Sequence, residues 1–190
     1  MERLYTIKQT TAPPADPVLF DMVALIVTGC SPESCCRVFY SGRNTLWVSN
    51  DGRYCAKFYK VPDPVKGFIY RWLRMPKAQR AWENAHRLIG LGFDTPPPES
   101  LFVWEKNHRL DRSCYICRMY GEPWANLRGI ERRDDFPALV KALAAYMHRL
   151  HSAAVWMKDF TPGNILFRPS ADGGYDFALV DINRMEFGVT

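Results

Sequence analysis

The sequence lacks any apolar run of membrane-spanning length. Its best, Met22–Val27, falls far short of the roughly 20 residues a transmembrane helix needs, and Asp21 stands at its edge. A basic tract is missing as well. Lys and Arg, 25 in all, are scattered from Arg3 to Arg184, and Arg132-Arg133 is flanked by Glu131, Asp134 and Asp135. A net charge of +5 spread in this way does not point to nucleic acid, although it suits an anionic substrate. No secretory signal is recognisable: Val27-Thr28-Gly29-Cys30 has the form of a lipoprotein cleavage site, but Asp16 and Asp21 precede it and its apolar stretch is too short. The expected compartment is therefore the reducing cytosol, where the six cysteines stay free thiols. Cys114 and Cys117 form a CxxC, but in a β-rich run residues three apart point to opposite faces, so one ion cannot bind both. Cys30, Cys35, Cys36 and Cys55 have no His or carboxylate at zinc-ligand spacing. Repeats and low-complexity tracts are absent too.

What is present is a globular composition, 47% hydrophobic and 24% charged, enough for one core or two small lobes. Residues 1–17, with Pro13, Pro14 and Pro17, read as a loose N-terminal arm. Strand-like runs follow at Met22–Val27, Cys36–Tyr40, Thr45–Val48 and Tyr54–Tyr59, and the turn Asn50-Asp51-Gly52 makes the last two a hairpin. Pro62 and Pro64 break the pattern. Ala78, Ala81, Trp82, Ala85, Leu88 and Ile89 then fall on one face of a helix over Lys77–Ile89. Two further strands, Leu101–Trp104 and Ser113–Tyr120, complete an antiparallel sheet, and Gly121–Asn126 reads as a connector.

A long helix opens the second part, from about Asp135 to His151, with a stripe of Phe136, Leu139, Val140, Leu143, Tyr146, Met147 and Leu150. His148 and His151 read as polar residues at its end, since no third ligand accompanies them. The run Val155–Phe167 reads as a loop entering a strand at Ile165-Leu166-Phe167, and Asp172-Gly173-Gly174 turns the chain into Tyr175–Val180, a second hairpin ending at Asp181. The expected fold class is α+β in two lobes: residues 18–120 as an antiparallel sheet with one helix, and 121–190 as a helical lobe.

Phosphoryl transfer needs a lysine on the phosphates, an acid to hold it, a carboxylate near the attacking hydroxyl and oxygen ligands for magnesium. All occur in order. Lys57 lies on a strand, Glu83 on the following helix, Asp159 and Asn164 five apart on a loop after a long helix, and Asp181 at the end of a strand. The Pro162-Gly163 turn lets Asp159 face an acceptor hydroxyl while Asn164 swings back towards a metal that Asp181 reaches from the other side.

These segments resemble the protein-kinase-like superfamily and, within it, the Kdo and heptose kinases of the bacterial lipopolysaccharide core. The resemblance rests on Tyr40–Thr45, on Lys77–Ala85 running into Leu91–Pro96, on Asp159–Leu166 and on Val180–Met185. It implies a two-lobed kinase-like fold with a shortened C-lobe, since few residues follow Asp181. Lys57 would then meet the ATP phosphates under a loop containing Gly42, Glu83 would hold Lys57, and Asp159 would be the catalytic base. Asn164 and Asp181 would bind Mg2+, and the backbone of Arg118, Met119 and Tyr120 would receive adenine. The implied acceptor is a sugar hydroxyl of the lipopolysaccharide inner core, at the inner face of the cytoplasmic membrane.

Two departures from the family pattern are Met157, where the family has His, and a phosphate-covering loop with a single glycine, Gly42. Three function classes stay open at this point: a lipopolysaccharide kinase, a kinase of another small molecule or protein, and a pseudokinase that binds nucleotide or acts as a scaffold.

Overall fold

The computed structural model describes residues 6–7, 15–28, 30–59, 75–106 and 109–188. Residues 1–5 and 8–14 of the expected arm, Gly29, Pro62 and Pro64 lie outside the described residues. Two compact units form, one from residues up to Glu83 together with Pro97–Met119, the other from Asn84–Pro96 together with the residues from Tyr120 on.

In the first unit, helix α1 (Pro17–Val27) occupies the place where the sequence pattern predicted a strand over Met22–Val27. The correction has a local cause. The Asp16 carboxylate accepts hydrogen bonds from the amides of Val18 (3.0 Å) and Leu19 (3.4 Å), and Pro17 sits in the first turn, where a missing N–H costs nothing. From that cap Leu19, Met22, Val23 and Ile26 fall on one helical face, and all four are buried. Among the described residues the first unit therefore draws on two helices, not the one expected.

Its sheet has six antiparallel strands in the order β1-β5-β6-β4-β3-β2. They are β1 (Thr6–Ile7), β2 (Cys36–Ser41), β3 (Asn44–Ser49), β4 (Tyr54–Tyr59), β5 (Pro98–Lys106) and β6 (Arg109–Arg118). Thr6–Ile7, within the expected loose arm, pairs with Trp104 and Glu105 at the sheet edge. The predicted hairpin is present as β3–β4. Strand alternation sends Tyr54, Ala56, Phe102, Trp104, Cys114 and Ile116 under α1. It sends Tyr59, Leu101, Val103 and Tyr115 to the other face, against Ala78 and Ala81 of helix α2 (Lys77–Gly90). Cys114 and Cys117 belong to these opposite faces, as the alternation required.

The second unit is built on helix α3 (Phe136–Ser152), whose Leu139, Tyr146 and Leu150 are buried, whereas Val140 is exposed despite its place in the predicted stripe. Against this helix pack a three-stranded sheet, β10 (Tyr175–Leu179), β9 (Ile165–Pro169) and β7 (Ala125–Asn126), and the pair β8 (Val155–Met157) with β11 (Met185–Phe187). Strand β7 lies in the segment read as a plain connector. Ala85 and Leu88, at the end of α2, complete the same core. No helix among the described residues is long and apolar enough to cross a membrane.

Tyr146 shows the quality of this core. Its ring packs edge-on to Phe93 and stacked on Phe177, but its buried hydroxyl has no hydrogen-bond partner among the described residues. A buried polar group without a partner costs stability, so removing it costs nothing. Tyr146→Phe is expected to unfold in urea at the same or a higher midpoint than the parent protein. A clear fall in midpoint would show that the hydroxyl is satisfied after all.

Candidate functional site

The first unit carries Lys57, Gly42 and the Glu83 expected to accompany the lysine. Lys57 stands between Leu46 of β3 and Tyr115 of β6, and its ammonium lies 5.3 Å from the centre of the Tyr59 ring. Sharing a face with Tyr59 and Tyr115, it points to the side of the sheet that α2 covers. Glu83 is half-buried on that helix and accepts a hydrogen bond from Gln79 one turn earlier (3.1 Å). Gly42 closes the β2–β3 hairpin, its amide donating to the Asn44 carbonyl (3.1 Å). Tyr40 folds its phenol over Gly42, in the space a β-carbon would need.

Arg118 and Met119 fit the adenine role less simply. Their amides donate to the carbonyls of Pro97 (3.0 Å) and Arg53 (2.7 Å), so neither reaches a base without giving up a bond within the chain. The Arg118 side chain pairs with Glu99 at 2.8 Å. Tyr120, which belongs to the second unit, uses its hydroxyl to donate to Asp94 (3.0 Å) and stacks on Trp124.

The second unit brings Asp159, Asn164 and Asp181 into one network. Pairing of β9 with β10 sets Leu179 opposite Ile165, and the next amide, Val180, donates to the Asn164 carbonyl (2.9 Å). Asn164 therefore lies beside the residue preceding Asp181. Its side-chain amide donates to the Asp159 carbonyl (3.0 Å), which closes the loop and leaves the amide oxygen as a hard donor.

Asp181 adopts a left-handed conformation, φ 55° and ψ 45°. For a residue with a β-carbon this costs about 1–2 kcal/mol. Strain of this kind is kept where a side chain has to be aimed. Asp181 opens a short 3-10 turn, Ile182–Arg184, in which buried Asn183 donates to Asp181 Oδ1 (2.6 Å). The next residue, Arg184, donates to Asp159 Oδ1 (2.9 Å) while its carbonyl accepts from the Lys158 amide (3.2 Å). Two consecutive residues, Asn183 and Arg184, thus hold one carboxylate each.

Asn183 and Arg184 were missed as functional residues, although they lie in the motif Val180–Met185. So were Asn84 and Thr95, whose roles depend on partners far along the chain. Buried Asn84 of α2 donates to the Ile182 carbonyl (2.7 Å), and buried Thr95 donates to the Leu179 carbonyl (2.7 Å). Met157 is a core residue opposite Met185. His151 stacks on the half-exposed Trp156, and no cluster of three His, Cys, Asp or Glu that could hold a metal occurs among the described residues. Magnesium does not require such a cluster, because it binds through one or two carboxylates together with phosphate oxygens and water. Asp181 and Asn164 fit that donor set.

No family model matches the sequence, and no curated protein matches it. Among solved structures, the chain is similar to WaaP in complex with acyl carrier protein: TM-score 0.59 and 18% identity over 95% of this chain and 73% of that one. It is also similar to the Rio2 kinase of Chaetomium thermophilum in its ADP/Mg2+-phosphoaspartate complex, with TM-score 0.56, 14% identity and coverage of 88% of this chain and 52% of that one. A second Rio2 structure gives TM-score 0.53 and 16% identity over 80% of this chain and 49% of that one. The chain thus spans about half the length of the Rio2 chains. At these identities the likeness establishes the fold, which is protein-kinase-like.

The Asn84 bond is the long-range link most easily tested. Asn84→Ala leaves a buried carbonyl without its donor and is expected to cost about 1–3 kcal/mol in urea unfolding. Asn84→Asp sets a carboxylate against that carbonyl and is expected to cost more. An Asn84→Ala protein within about 0.5 kcal/mol of the parent would mean that the bond contributes nothing.

Proposed function

We propose that this chain is an ATP- and magnesium-dependent phosphotransferase that acts on a sugar hydroxyl, with the lipopolysaccharide inner core as its acceptor. The observation that carries the reading is the single network uniting Asp159, Asn164 and Asp181 through the Val180–Asn164, Asn164–Asp159 and Arg184–Asp159 bonds. Its support at the level of fold is the likeness to WaaP in complex with acyl carrier protein and to the Rio2 kinase, whose structure holds ADP and Mg2+.

On this reading each residue has a distinct task. Asp159, one oxygen already engaged by Arg184, takes the proton of the attacking hydroxyl through the other. Asp181 and Asn164 present hard oxygens to Mg2+, which neutralises charge on the transferring phosphoryl group when bound. Lys57 binds the nucleotide phosphates and Glu83 holds Lys57. The Gly42 hairpin covers the phosphates, and the segment Arg118-Met119-Tyr120 receives adenine. Positioning and charge neutralisation supply most of the rate in such reactions, which is why so much of the second unit is spent on orienting two carboxylates.

The test is transfer of labelled γ-phosphate from ATP, with lipopolysaccharide-core sugars, peptides and aminoglycosides as competing acceptors. Label is expected on the core sugars only, with Asp159→Asn reducing transfer at least a hundredfold, as loss of a general base does. Label on peptide or aminoglycoside instead would reassign the acceptor. No transfer to any acceptor by folded protein would remove the enzyme reading.

A further inference from the structure

Gly163 lies between Asp159 and Asn164, and its glycine identity needs an explanation. It is not among the glycines with positive φ, so no left-handed backbone demands it. The place of a side chain is taken instead by the tip of Arg128. A β-carbon at Gly163 would sit 2.5 Å from Nη2 and 2.9 Å from Nε of Arg128, so the guanidinium rests against the bare backbone of the loop. The chain around Arg128 is fixed in that place. The Leu127 amide donates to the Pro162 carbonyl (2.9 Å), the Arg128 amide donates to Asn126 Oδ1 (3.0 Å), and Ala125 and Asn126 pair with Phe167 and Leu166. Buried Leu127 anchors the segment in the core.

The other charged groups near the loop are accounted for differently. Arg184 is paired with Asp159, and Lys158 with Glu186. Arg128 is exposed, and no carboxylate among the described residues pairs with it. A planar cation with five donors has thus been laid on the loop that carries Asp159 and given no anion of its own. Guanidinium groups so placed take carboxylate or phosphate through parallel N–H bonds.

We propose that Arg128 is an anion seat for the acceptor, which therefore carries a carboxylate or phosphate close to the hydroxyl that reacts. This rests on the phosphotransfer reading above and adds to it the charge of the substrate and the residue that senses it. Gly163 belongs to the seat because a β-carbon there would make the flexible tip of Arg128 move off the loop.

The test compares Arg128→Ala, Arg128→Lys and Gly163→Ala with the parent protein in steady-state transfer, using an anionic core sugar and a neutral analogue. Both alanine variants are expected to raise KM for the anionic acceptor roughly tenfold, with KM for ATP within about twofold and the neutral analogue unaffected. Arg128→Lys retains the charge but not the fork and is expected to fall between. The double variant is expected to be no worse than either single one, because both remove the same contact. A rise in KM for ATP instead would give the seat to the nucleotide and overturn the assignment, as would no change in either KM. If the parent protein transfers no phosphate, the phosphotransfer reading fails, and the seat is decided separately by the 15N resonance of Arg128 Nε on titration with inorganic phosphate. A saturable shift, lost in Gly163→Ala, supports the seat, and a flat response overturns it.

Discussion

One backbone hydrogen bond, from the Val180 amide to the Asn164 carbonyl, decides where the candidate chemistry of the second unit sits. It extends the β9–β10 ladder by one step, beyond the Leu179–Ile165 pair, at the point where both strands leave the core. Because of it, the loop that ends at Asn164 and the turn that begins at Asp181 meet side by side. The rest of the network builds on that meeting: Asn164 closes its own loop, Asn183 reaches back two residues to Asp181, and Arg184 crosses to Asp159. The hairpin itself is held by apolar burial of Ile165, Phe167, Phe177 and Leu179, so core packing fixes the register and the register fixes the site.

The strain at Asp181 fits this picture. A left-handed aspartate is disfavoured by about 1–2 kcal/mol, and Asn84 and Asn183 spend buried hydrogen bonds on the very turn it opens. Buried amides bonded to a turn restrict it more firmly than exposed ion pairs, whose worth is about 0–1 kcal/mol. The half-exposed Arg184–Asp159 pair accordingly adds little to folding, and its effect is on the direction of the carboxylate.

Much of this was legible in the sequence, and what escaped did so for identifiable reasons. Period-two and helical patterns located β2–β6, β9, β10 and two of the described helices, because burial on one face leaves a local signature, whereas β1, β7, β8 and β11, two or three residues each, are too short to carry one. Helix α1 was misread because Met22–Val27 is apolar at consecutive positions. The deciding signal was Asp16-Pro17, a cap lying outside the window. The closeness of Asp159, Asn164 and Asp181 in the fold was legible through their spacing around turns. Asn84, Thr95 and Arg128 were not, since each matters through a partner distant in sequence, such as Ile182 for Asn84 and Gly163 for Arg128. Side chains that act across the fold leave no pattern in their own neighbourhood.

The central claim is the proposal that this chain binds ATP with magnesium, for which Asp181 is the proposed metal ligand and Lys57 the proposed phosphate ligand. The most direct measurement is thermal unfolding with ATP, with and without magnesium, for the parent protein, Asp181→Ala and Lys57→Ala. The account predicts a stabilisation of about 2–3 kcal/mol at ATP a hundredfold above Kd, dependent on magnesium and lost in both variants. A folded parent protein that ATP does not stabilise, or whose stabilisation ignores magnesium and survives Asp181→Ala, would contradict it.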